Sequence, residues 1–184
     1  MNRFSHVVSW IFGLLLVGLS LFVAMETISR KLFNHSFQGA DELGGYVLAI
    51  GGALSFTVAL IERGHIRIDL VHDKLRPRTQ AVLNLLASLS LALMGLYLAR
   101  YCWTVVRDTV EYGSAAPTAW ATPMIYPQGI WYVSMLIFTI ASLWMAFVAT
   151  RLFLTGDIQE LNEEFHIKSA MEELEEELED LKRR

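Results

Sequence analysis

Charged side chains are missing from four long stretches of this 184-residue chain: Val7–Met25, Leu43–Ile61, Thr79–Ala99 and Tyr112–Thr150, the last with its spanning part from about residue 128. Each is near or above the roughly 18–20 apolar residues a helix needs to cross a hydrocarbon core. A water-facing helix of that length carries a polar stripe every third or fourth position, and these carry none. A soluble fold is excluded. Cysteine is almost absent as well: Cys102 stands alone, so there is no intrachain disulfide and no thiol relay. It reads as a small apolar residue near a helix end. His6, His35, His65, His72 and His166 all fall outside the four runs, which excludes a haem held between facing histidines at depth. HExxH, paired mid-span aspartates, a serine–lysine dyad and a glycine-rich phosphate loop are also missing. The chain is therefore not read as an enzyme, and no residue is assigned as catalytic, metal-binding or cofactor-binding. Glu26 sits too near the end of its run to couple protons as a small exporter requires.

What is present is 54% hydrophobic residues and an uneven charge. From Asp157 onward there are eleven acids and four bases, so a tail of −7 hangs on a body of +3 within the total of −4. That balance points to lipid and away from nucleic acid. The expectation is an all-α integral membrane protein with a four-span membrane domain over residues 1–156. Its spans lie at about 7–28, 43–61, 79–106 and 128–152, and an acidic cytoplasmic helical tail covers 157–184. The first run is longer than the apolar core of a signal peptide and lacks an A-x-A-like site, so it reads as an uncleaved anchor.

Bases flanking the spans set the orientation. One side collects Arg3, Arg63, Arg67, Lys74, Arg76, Arg78, Arg151 and Lys168; the other collects Arg30, Lys31, Arg100 and Arg107. This bias places both termini in the cytoplasm. The outer connection 29–42, with Phe33, Phe37, Arg30, Lys31 and His35, suits an amphipathic segment at the headgroups or an ordinary connector. The segment 107–127 holds Pro117, Pro123 and Pro127 among Trp120, Tyr126, Trp131 and Tyr132. It reads as a broken, re-entrant or surface-lying piece, anchoring at the interface, docking an external partner, or both.

Two stripes of small residues suggest close helix packing: Gly45, Ala49 and Ala53 in the second run, and Ser88, Ala92, Gly95 and Ala99 in the third. They can face each other or a separate protein. Glu26 and Arg100 lie near the outer ends of spans one and three, which suggests an ion pair; the alternative is two side chains reaching separately to headgroups. In the tail, Ile158, Leu161 and Phe165, then Ile167, Met171, Leu174, Leu178 and Leu181, recur at helical spacing. Their glutamate flanks favour a solvated helix, or pairing with a basic partner, over self-association.

The residues from Ile28 to Pro77 carry a recognisable pattern. Arg30 and Phe33 precede a loop, Glu42 opens the second span, and the run Glu62-Arg63-Gly64-His65-Ile66-Arg67-Ile68-Asp69-Leu70 lies between spans two and three. Thr122-Pro123, Pro127-Gln128 and Trp131 mark the entry to span four. Together they resemble the small membrane subunit of tripartite ATP-independent periplasmic (TRAP) transporters, the DctQ-like family, over nearly all of Val7–Leu154. The tail lies beyond the pattern. The resemblance implies a small accessory or scaffold subunit in the bacterial inner membrane. Its partners would be a large TRAP membrane subunit, as a heterodimer or fused-type complex, and a periplasmic binding protein that delivers organic acids. Sodium ions are expected in the large subunit and no cofactor in this one. Arg30, Glu42, Gly64, His65, Asp69, Pro123, Pro127, Gln128 and Trp131 would be motif or partner-interface residues. From the residues alone, the loop containing His65 and Asp69 is either a headgroup-facing turn or a structured turn that hydrogen-bonds neighbouring groups. An independent small oligomeric transporter and a purely structural four-span anchor stand as alternatives.

Overall fold

In a computed structural model, residues 3–62 and 75–165 are described, with side chains from His6 onward. Five helices occur among them: α1 (Arg3–Phe33), α2 (Ala40–Ile61), α3 (Pro77–Tyr112), α4 (Ile125–Thr155) and α5 (Ile158–Glu164). The first four are long and apolar enough to cross a membrane. Gly64, His65 and Asp69, and the tail from residue 166 on, lie outside the described residues.

Every span is longer than its uncharged core. Arg30 and Lys31 do not end α1; the chain turns at Asn34, whose φ of 52° is a left-handed conformation that asparagine tolerates. The expected segment 29–42 is thus mostly helix, with a connector of only residues 34–39. Pro77 starts α3 at a position where a missing N–H costs nothing, and Thr79 N–H and Gln80 N–H donate to Arg76 O. Left-handed glycines end the next two helices, Gly113 at φ 59° after α3 and Gly156 at φ 85° after α4.

The proline-rich stretch 107–127 is not a broken helix. Residues 107–112 continue α3, and Pro127 lies in the first turn of α4, where its absent N–H has no intrahelical partner to lose. Between them, residues 113–124 form a tight reversal. Ala116 N–H donates to Thr122 O (2.9 Å) and Met124 N–H to Ser114 O (3.0 Å), around a bridge between Ala115 and Pro123.

The helices associate through small residues. Ser88, Ala92, Gly95 and Ala99, continued by Cys102, Val106 and Thr109, form the buried face of α3, and α4 packs along it. Thr139 Oγ1 donates across the contact to Gly95 O (3.0 Å) and back to Met135 O (2.8 Å). A methyl group on Gly95 would meet Ser142 Oγ at 2.8 Å and the Thr139 backbone at 3.3 Å. The third-span stripe therefore faces span four. Of the second-span stripe only Ala53 is buried, against Cys102 and Met135, while Gly45 and Ala49 are exposed. Helix α2 packs on α4, and α1 packs on α2, with the Phe12 ring lying over Gly51.

At the opposite end from the connectors, α5 folds back under α3 and α4. Leu161 and Phe165 are buried with Ala81, Ala149 and Leu152. Asn162 Nδ2 donates to Pro77 O (3.0 Å), and Asn162 Oδ1 accepts from Asn84 Nδ2 (3.2 Å). The start of the tail is thus part of the membrane domain's own packing and not a solvated helix.

Candidate functional site at the connector end

The connector 34–39, the reversal 113–124 and the adjoining helix ends converge on two buried carboxylates. Glu42, in the first turn of α2, is 6% exposed. Its Oε2 accepts from Thr118 Oγ1 in the reversal, and its Oε1 accepts from Tyr46 O–H one turn along (2.9 Å). Tyr46 O–H also approaches Met124 Sδ at 3.5 Å. The glutamate thereby holds the α3–α4 turn onto the start of α2. A carboxylate at a helix N-terminus is also favoured by the helix dipole.

Glu26, near the end of α1, is 3% exposed. Its Oε1 accepts from Arg30 Nη2 (2.6 Å) and from Ser36 O–H (2.7 Å). Ser36 Oγ in turn accepts from Gln38 N–H (3.2 Å), so one carboxylate organises the connector. Glu26 Oε2 is buried without a partner. The two carboxylate sites are joined by Trp120, whose indole N–H donates to Phe37 O (3.1 Å). Its ring covers Gly39, leaving no room there for a side chain, and lies tilted with its centroid 6.5 Å from that of Phe22, which in turn lies 6.2 Å from Phe37.

The expected Glu26–Arg100 pair does not form. Arg30 lies one turn from Glu26 on the same helix face and takes it at short range. Arg100 donates from Nη1 to Thr104 Oγ1 on its own helix (2.7 Å). Because α3 runs twelve residues past Arg100 to Tyr112, Arg100 is also not at the outer end of its span. Of the other sequence-selected residues, Pro123 is exposed in the reversal and Pro127 is buried in α4. Gln128 Oε1 accepts from Thr109 Oγ1, which pins the end of α3 to the start of α4. Trp131 packs on the cluster of Ala53, Cys102 and Met135. The structure thus gathers Arg30, Glu42 and Gln128 into one polar cap, with Trp131 below it.

Sequence reasoning missed Ser36, Tyr46, Thr109 and Thr118. Ser36 and Thr118 lie in loops, where a hydroxyl residue carries no periodic signal, whereas Thr109 continues the buried spacing of α3 and the Glu42–Tyr46 spacing of four was readable. Among the described residues, no group of three or more His, Cys, Asp or Glu side chains gathers as a metal site. The arrangement braces the fold: hydroxyl and guanidinium donors hold Glu42 and one oxygen of Glu26, stitching one end of four helices.

In comparison with known proteins, residues 19–152 match the family described as tripartite ATP-independent periplasmic transporters, DctQ component. No curated protein matches the chain.

Proposed function

The chain belongs to the DctQ component family of tripartite ATP-independent periplasmic transporters, and on that premise we propose that it is the fixed, accessory half of a sodium-coupled importer of organic acids. It is a multi-pass membrane protein and a transporter component, not an enzyme. The family associates in general with a large permease and a substrate-binding protein. In the reading offered here, the large subunit holds substrate and sodium, this subunit supports it from within the inner membrane, and both termini are cytoplasmic.

The observation that carries the scaffold role is the distribution of polar contacts. Charged side chains brace the connector end, through Glu26 and Glu42 with Trp120 and Gln128, and Asn162 latches the opposite end. Between the ends, the helices meet through small residues and leave long apolar faces outward. An element that must keep its shape while a neighbour moves is served by such cross-bracing. With the termini inside, the cap faces the periplasm, where a binding protein arrives. The motif residues Gly64, His65 and Asp69 would then sit on the cytoplasmic side as assembly contacts, and Asp69→Ala is expected to lower both assembly and uptake.

The test is reconstitution. Uptake in proteoliposomes should need this chain, the large membrane subunit and the binding protein together, and should follow an imposed sodium gradient. Solute uptake by this chain alone would overturn the reading in favour of an independent small transporter.

A further inference from the structure

We infer that Arg100 is the contact point for a carboxylate on an adjoining membrane helix of the large transporter subunit, an inference that rests on the accessory role proposed above. The first element is depth. The connector ends of the helices are held level by Glu42 with Thr118 and by Trp120 with Phe37. Ala53 lies thirteen residues below Ala40 in α2, about 20 Å down at 1.5 Å per residue. Cys102 of α3 packs against Ala53 and Met135, so it lies at the same level. Arg100 is two residues further from the connectors, roughly 3 Å deeper. In the frame of α2, whose 22 residues span about 33 Å, its Cα lies well inside the helix and near neither end.

The second element is direction. Two residues along a helix is more than half a turn, so Arg100 points away from the buried Cys102 and is exposed on the outer flank of α3. Its neighbours there are Leu93, Leu96 and the rings of Tyr97 and Tyr101, in tilted contact 4.5 Å apart. An unneutralised guanidinium on such a face is costly in hydrocarbon and is seldom retained without a partner.

The third is charge balance: among the described residues no carboxylate pairs with Arg100, and its guanidinium donates to the neutral hydroxyl of Thr104. Glu26 and Glu42 are engaged at the connector end. Asp108 and Glu111 stand two to three turns further up α3. Charge complementarity therefore assigns to the facing helix an acidic side chain level with Arg100, just below Ala53. The planar fork of arginine would hold it bidentately, with the two tyrosines excluding lipid around the contact.

The experiment uses the complex. The large subunit is tagged and co-expressed with wild-type, R100Q, R100L or R100K small subunit, and the small subunit retained on purification is measured. R100Q and R100L should lose on the order of tenfold in retention, because each strands the partner's carboxylate. R100K should retain most of it, and the melting temperature of the R100L subunit purified alone should match wild type. Wild-type retention of R100L would overturn this inference alone. A lowered melting temperature of isolated R100L, with R100K no better, would also overturn it, in favour of an intrachain role. Retention that is lost in neutral lipid and restored by phosphatidylglycerol would assign Arg100 to lipid phosphate instead. Failure of the wild-type chain itself to co-purify would overturn both this inference and the accessory reading.

Discussion

Helices α1 and α4 are both 31 residues long and both apolar, yet the chain uses them differently. Nine residues of α4 are buried, five of them alanine, serine or threonine, and they meet the small-residue face of α3. Helix α1 buries almost nothing along its apolar length. It is held by the Phe12 ring on Gly51 and by the Glu26 site at its end. Lipid is as apolar as leucine, so the exposed flank of α1 is no defect. What separates the two helices is backbone proximity and polar anchoring, not hydrophobicity.

The contrast can be broken most strongly at Gly95. Gly95→Leu forces a side chain into the Thr139 backbone, and thermal unfolding in detergent should show a loss of about 3 kcal/mol, at the upper end of overpacking costs. Glu42→Leu comes next. It strands the hydroxyls of Thr118 and Tyr46, for roughly 2 kcal/mol, and should make residues 113–124 the first site of limited proteolysis. Trp120→Phe keeps an aromatic ring beside Phe22 and removes one hydrogen bond, so about 1 kcal/mol is expected in the same unfolding assay. Gly51→Ala should be smallest, below about 0.5 kcal/mol, since the atom it meets ends a side chain that can turn into lipid. If Gly51→Ala costs as much as Gly95→Leu, α1 is packed as firmly as α4 and the contrast fails.

The four spans were legible because charge exclusion from hydrocarbon is a strong and local signal. Their ends were not. Arg30 and Lys31 look like a boundary, but a helix leaving the bilayer tolerates charge, and the stop comes from a left-handed Asn34. The stripe Ser88–Ala99 was readable as a packing face, whereas its choice of α4 over α2 depends on tertiary geometry that spacing does not encode. The Glu26–Arg100 expectation failed because matching two charges by depth ignored the nearer arginine one turn away. In the tail, Leu161 and Phe165 were seen as periodic, but nothing in their spacing showed that they would be buried under the chain's own α3 and α4.

The latch at Asn162 has a mechanical consequence. Its amide grips the first turn of α3 through Pro77 and meets Asn84 a little beyond, so the acidic chain that follows is moored to the foot of the longest helix. Tension applied to that chain enters α3 directly. It then runs the length of the helix to Thr109, whose bond to Gln128 passes the load into the start of α4.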